Sequence, residues 1–147
     1  MDIVPPEKRS RMMAGIKGKN TKPEVAVRKL VHGMGFRFRL HRKDLPGSPD
    51  LVFPRLKKAI FVHGCFWHRH SGCRFAYTPK SNAQFWVDKL TTNTHRDALA
   101  LKALGALGWE VLVVWECEVP NLPALAQKLH SFLAADHLDA PVDRSAM

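Results

Sequence analysis

The sequence predicts an α/β fold, a mixed β-sheet flanked by helices, on three observations. Apolar residues recur at helical spacing in four segments, and strand-like runs fill four others. Their order along the chain is α-α-β-β-β-α-β-α, which layers helices against a sheet. Finally, 147 residues at 46% apolar composition suffice for one core and leave no room for two ordinary domains.

Residues 7–16, EKRSRMMAGI, read as a short basic helix with Met12, Met13 and Ile16 on its apolar side, and Lys17 to Asn20 read as a loop. Thr21-Lys-Pro-Glu24 has the form of a capping box, with Thr21 at N-cap, Pro23 in the first turn and Glu24 at the third position. Val25, Val27, Leu30, Val31 and Met34 continue that helix toward Gly33 and Gly35. From Phe36 the period becomes two: Phe36, Phe38 and Leu40 alternate with Arg37, Arg39 and Arg42, as in a strand with one basic face. Leu45-Pro-Gly-Ser-Pro49 is a turn; Asp50 opens a strand at Leu51 to Phe53, and Lys58 to Val62 make the next. Ser81 or Asn82 caps a long helix carrying Phe85, Trp86, Leu90, Leu99, Leu101 and Leu104, stopped near Gly105 or Gly108. The run WEVLVVW, residues 109–115, is apolar enough to lie centrally in the sheet, and Asn121 caps a last helix that frays from Asp136.

No stretch of about 18 apolar residues occurs, and MDIVPPEKRSRMM has neither a continuous apolar segment nor a small-residue cleavage site. A soluble intracellular protein, cytoplasmic and apart from membranes, is expected. Charge is distributed unevenly: Met1 to Lys43 carry 12 Lys/Arg against 3 Asp/Glu, so nine of the ten net positive charges sit there. Such a basic third suits a polyanion, above all nucleic acid.

Cys65, Cys73 and Cys117 are an odd number of thiols without an export signal, which argues against a disulfide framework and for metal ligation. Cys65 and Cys73 bracket His70 as C-x4-H-x2-C, a spacing that wraps a short loop around one ion; Cys117, just past Trp115, is the remaining thiol that completes a structural Zn2+ site. Idle buried thiols are the alternative. His63 and His68 are left over beside that loop, and a neutral imidazole near pH 7 suits proton transfer. Pro49-Asp50 at one strand start, next to a strand ending at Val62-His63, resembles the way nucleases place oxygen ligands on Mg2+, although an Asp after Pro also ends turns.

From Lys8 to Cys117 the chain resembles the very-short-patch repair (Vsr) endonucleases, members of the PD-(D/E)xK restriction-endonuclease-like group. The resemblance is carried by Leu45-Pro-Gly-Ser-Pro-Asp50, Ile60-Phe-Val-His-Gly-Cys-Phe-Trp-His68, Phe85-Trp86 and Gly108-Trp-Glu-Val-Leu-Val-Val-Trp-Glu-Cys117. It implies a restriction-endonuclease-like three-layer fold. Residues 1–20 would be a basic DNA-contacting arm, 21–135 a single endonuclease domain and 136–147 a flexible tail. It implies a Mg2+-dependent nick in double-stranded DNA on the 5′ side of the thymine of a T:G mispair left by 5-methylcytosine deamination. A cytosine-5 methyltransferase system and other repair proteins would be partners, and a monomer suffices.

Asp50 matches the family's metal-binding aspartate. Val62 stands where studied members carry Thr, so its backbone carbonyl is the expected second ligand. His68 matches the general base and His63 a second active-site histidine that would stabilise the phosphorane. Glu24 matches an acidic residue near the site and is open to two readings, helix cap and site residue. Phe66 and Trp67, helped by Met13, match a wedge that enters DNA beside the mispair, where unstacking costs least; core packing is the other reading for all three. Lys17, Lys19 and Lys22 would position phosphates. Two other functions fit less of the sequence: a restriction-like nuclease with another target, and a zinc-stabilised DNA-binding protein without chemistry.

Overall fold

The computed structural model describes residues 21–135. The helix expected at 7–16, the loop after it, Met13, Lys17, Lys19 and the tail from 136 lie outside those residues. Helix α1, Lys22–Gly33, starts as its sequence dictates: Thr21 is extended at N-cap, its hydroxyl accepts from Glu24 N at 3.3 Å, and Pro23 needs no donor in the first turn. It ends at Met34, ahead of Gly35 at φ 94°.

Strands β1 (Arg39–Leu40), β2 (Leu51–Phe53), β3 (Lys58–His63) and β4 (Glu110–Trp115) form one sheet in the order β1-β2-β3-β4. The first two pairings are antiparallel, with Leu51 opposite Ile60 and Phe53 opposite Lys58. The β3–β4 pairing is parallel and brings Val62 opposite Val114, so the connection between them must cross over. Helix α2, Ala83–Ala106, makes that crossover. A short 3₁₀ turn, Glu116–Glu118, follows β4 and leads to helix α3, Leu122–Ala134, capped by the Asn121 side chain on Ala124 N.

Side chains alternate across the sheet, so the two faces of β3 do different work. Ile60, with Leu51, Phe53 and Val114, packs on Val27 and Val31 of α1 and on Leu125, Leu129 and Leu133 of α3. Each such fully buried aliphatic contributes roughly 1.5–3 kcal/mol. On the opposite face Phe61 lies beneath the turn that carries Gly47. A Cβ at Gly47 would come within 2.7 Å of Ala100 Cβ on α2 and 3.0 Å of Phe61, so the turn admits no larger residue. Helix, sheet and helix make the three layers expected. Lys58, at the start of β3 and wholly buried, donates to the carbonyls of Phe132 and Ala135 and thus satisfies the end of α3.

Two strand expectations are corrected. Phe36 and Phe38 pack on the core, but only Arg39 and Leu40 pair, because β2 is three residues long and leaves the rest of the alternating segment no partner. Among the described residues β4 is an edge strand rather than a central one. Side chains cover its outer polar groups: Lys128 Nζ donates to Val113 O at 3.3 Å, and Glu118 Oε1 accepts from Trp115 N at 2.7 Å. No helix among the described residues is long and apolar enough to cross a membrane.

Candidate active site and metal cluster

An open cleft of about 1030 Å³ lies at the end of β3 where the chain leaves the sheet, between the start of α1 and the middle of α2. Asp50, Val62, His63, His68 and Glu24 all line it, as do Lys22, Phe66 and Trp67. One cleft therefore gathers every described site residue expected from the sequence except the three cysteines and His70.

Asp50 directly precedes β2, and its Oδ2 accepts from Val62 N at 2.7 Å. A strand residue directs its N–H and C=O toward the same neighbour, so the Val62 carbonyl also faces Asp50, while its side chain packs on the α1/α3 core. Burial pushes the Asp50 carboxyl up to about 6, with Glu24 adding to the rise; the Val62 amide, then His41 and His68, oppose it. Glu24 is buried in the first turn of α1. Its amide donates to Thr21 Oγ1, whereas its carboxylate accepts from Arg28 and meets His41 Nε2 at 2.6 Å at the cleft. The donor atoms of Glu24, His41 and Asp50 all lie within 4.8 Å of one another.

His63 and His68 stack face to face, with ring centroids 3.8 Å apart at 4°. His68 Nδ1 bonds Asp97 Oδ2 at 2.6 Å, which leaves Nε2 turned away from that carboxylate. His63 is buried, and its Nδ1 has no partner among the described residues. Burial, and secondly the neighbouring His68, push its pKa down to about 4 from an ordinary 6.5. A depressed histidine contributes stability that is complete above about 6.5 and is lost as pH falls through 4. The size is on the order of 3 kcal/mol. Asp50 has the opposite sign, since its raised pKa favours the folded state at low pH. The His63→Phe variant should therefore gain on the parent by about 3 kcal/mol between pH 7 and pH 4. Denaturant unfolding at the two pH values measures this, and parallel curves would refute it.

Asp97 and His41 were not among the expected site residues. Asp97 is four residues after Asn93 on α2, and Asn93 Nδ2 also faces inward, donating to Trp67 O at 3.2 Å. Polar residues at helical spacing among Leu90, Leu101 and Leu104 were the available signal. His41 had none, because its position depends on a turn at φ 49°.

The aromatic residues divide. Trp67 is largely buried at 8% exposure, against Trp86, whereas Phe66 is half-buried amid Trp67, Tyr77 and Trp86 at centroid distances of 5.0–5.5 Å. Both packing and access to the cleft thus belong to the pair.

Beside the cleft, Cys65, His70, Cys73 and Cys117 bring their donor atoms within 4.8 Å of one another. His70 Nδ1 is 3.7 Å from Cys65 Sγ and 3.4 Å from Cys117 Sγ. Tetrahedral bonds of about 2.0–2.3 Å put ligand atoms roughly 3.5–3.8 Å apart, so the cluster is compatible with a zinc site. The loop turns tightly, with His70 N bonded to Cys65 O and Cys73 N to His70 O, and Trp115 stacks on the His70 ring at 4.2 Å. Without a cation, burial drives the Cys65 thiol up to about 12, the cost a bound metal would remove. The loop that carries His68 is thereby fastened to the chain just beyond β4.

The sequence profile of the family described as DNA mismatch endonuclease Vsr matches residues 1–74. The Type II nicking enzyme V.XorIIP of Xanthomonas oryzae pv. oryzae is 52% identical, over 90% of this chain and 96% of its own length. The Type II nicking enzyme V.NmeAIP of Neisseria meningitidis serogroup A is 44% identical, over 88% and 91%. The DNA mismatch endonuclease Vsr of Escherichia coli K12 is 34% identical, over 97% and 94%.

Proposed function

Given that this chain belongs to the DNA mismatch endonuclease Vsr family and is a DNA-cleaving hydrolase, we propose that it nicks duplex DNA 5′ of the thymine in a T:G mispair, by Mg2+-dependent hydrolysis. One observation carries the reading: a carboxylate held by a strand amide and a histidine held by a second carboxylate open into the same cleft. Neither pairing is needed by a protein that only binds DNA.

Asp50 and the Val62 carbonyl would hold the ion. Bound there, Mg2+ supplies Lewis-acid polarisation of the scissile phosphate. Asp97 accepts from His68 Nδ1–H and so fixes the tautomer that leaves Nε2 with its lone pair. Nε2 takes a proton from water as the water oxygen bonds phosphorus and the P–O ester bond breaks, the leaving strand oxygen taking a proton from solvent to become a hydroxyl. His63, neutral at pH 7, serves as an N–H donor toward the developing charge rather than as a cation. Valine at 62 is compatible with this scheme because only its backbone faces Asp50. Phe66 and Trp67 would wedge beside the mispair, while Lys22, with Lys17 and Lys19, positions phosphates. Zn2+ is the metal proposed for the Cys3His cluster, on its donor set. The enzyme would act as a cytoplasmic monomer alongside a cytosine-5 methyltransferase system and further repair proteins.

The relatives named as type II nicking enzymes favour a second reading, the same chemistry in another sequence context. End-labelled T:G and C:G duplexes in several flanking sequences, with Mg2+ or EDTA, test both; equal cutting of the matched duplex would refute mismatch selectivity. His68→Ala should slow nicking by roughly 10²–10⁴-fold. Asp97 acts through His68, so adding Asp97→Asn to that variant should cost almost nothing more. Additive losses in single-turnover assays would separate the two residues and undo the pairing.

A further inference from the structure

We infer that His41, with Glu24, joins Asp50 in the cation site of the cleft and supplies a nitrogen ligand, so that the site binds a borderline transition metal such as Mn2+ more tightly than Mg2+. This rests on the reading that Asp50 holds the catalytic cation, and it assigns a role to a residue which that reading leaves unused.

The turn after β1 delivers His41. Its backbone is left-handed at φ 49°, and its N–H donates to Asp50 O at 3.1 Å, which ties the turn to the residue that opens β2. The imidazole is thereby aimed at the first turn of α1, with Nε2 2.6 Å from Glu24 Oε2 and side chains only 14% and 4% exposed. Three donor atoms from three separate segments converge within 4.8 Å. Octahedral bonds of about 2.1 Å place ligands roughly 3 Å apart when adjacent and about 4.2 Å when opposite, so small adjustments would seat an ion among them.

The chemistry of the donors sets the selectivity. Two carboxylates drawn out of water in one place favour a cation, and Arg28 meets that need for Glu24. Among the described residues no arginine or lysine bonds Asp50, whose Oδ2 accepts from Val62 N. Oxygen donors alone suit Mg2+, whereas an imidazole nitrogen moves preference toward Mn2+ and later metals. Before an ion enters, His41 bonds Glu24 directly. On binding, Nε2 gives up its proton, as the other tautomer or to solvent, and turns its lone pair to the ion.

The test uses zinc-loaded protein, so that the cysteine cluster is already filled. Mn2+ binding is followed by electron paramagnetic resonance, Mg2+ by competition, and nitrogen ligation by pulsed measurements on bound Mn2+. His41→Gln preserves an N–H donor for Glu24 and the backbone bond to Asp50 but removes the imidazole, and circular dichroism checks its fold. Loss of even an outer partner weakens metal binding about 10–100-fold, so His41→Gln should lower Mn2+ affinity by at least about 10-fold. The Mn2+:Mg2+ preference should fall with it, and the nitrogen coupling should weaken. An unchanged preference and coupling in His41→Gln, with Mn2+ binding still lost in Asp50→Asn, would overturn the role of His41 alone. Intact Mn2+ uptake in Asp50→Asn would overturn the role of Asp50 and this inference together.

Discussion

Asp50→Asn should lower nicking by three orders of magnitude or more, roughly the several kcal/mol that a properly held ion contributes, and should at the same time stabilise the metal-free protein. The two effects share a cause. The folded state lifts the Asp50 carboxyl from its ordinary 3.8 to about 6, chiefly by burial. A raised carboxylate pKa means that folding favours the protonated form. Its contribution is present below about 3.8 and lost as pH rises through 6, so at pH 8 the ionised side chain opposes folding by on the order of 3 kcal/mol. Asparagine keeps an oxygen for Val62 N and carries no charge. Denaturant unfolding of zinc-loaded, magnesium-free protein at pH 8 should show a gain of about 1–3 kcal/mol. Nicking within tenfold of the parent would defeat the assignment, whatever the stability.

Cys117→Ser should remove the structural metal and most of the order in the loop from Gly64 to Cys73. Cys65, His70 and Cys73 belong to one short loop, and Cys117 is the ligand that reaches the cluster from the segment after β4, where Glu116 also accepts from Cys65 N at 3.2 Å. Structural zinc contributes apparent binding energies of about 10–16 kcal/mol, comparable to the whole stability of a small domain, about 5–15 kcal/mol. Losing one thiolate should therefore either unfold the chain or free His68 from Asp97. Metal analysis should find one zinc per chain in the parent and far less in the variant, with a drop in melting temperature. Full zinc retention at an unchanged melting temperature would exclude Cys117 as a ligand.

Local rules were sufficient where a segment determines its own structure. Thr21 and Asn121 cap helices because their side chains reach an amide three residues on, and the turn at Gly47 is written in Pro-Gly-Ser-Pro. The cysteine cluster was legible because soft ligands at loop spacing have few other uses. Pairings between distant segments were not. Asp97 reaches His68 across 29 positions and His41 reaches Glu24 across 17, and no periodicity encodes either. The sheet order failed for a related reason: an apolar run signals cover on both faces but does not specify which neighbour lies alongside. The outer groups of β4 are covered by Lys128 and Glu118, from segments that follow it in the chain.

The buried Lys58 has a practical consequence. It secures the last turn of α3 at the entry of β3, whereas Asp50 and His63 gather at the strand's exit, about 16 Å away at the usual rise per residue. A fluorophore coupled at position 135 would ride on the pole remote from the phosphate-cutting end, and could report on duplex capture without standing in its way.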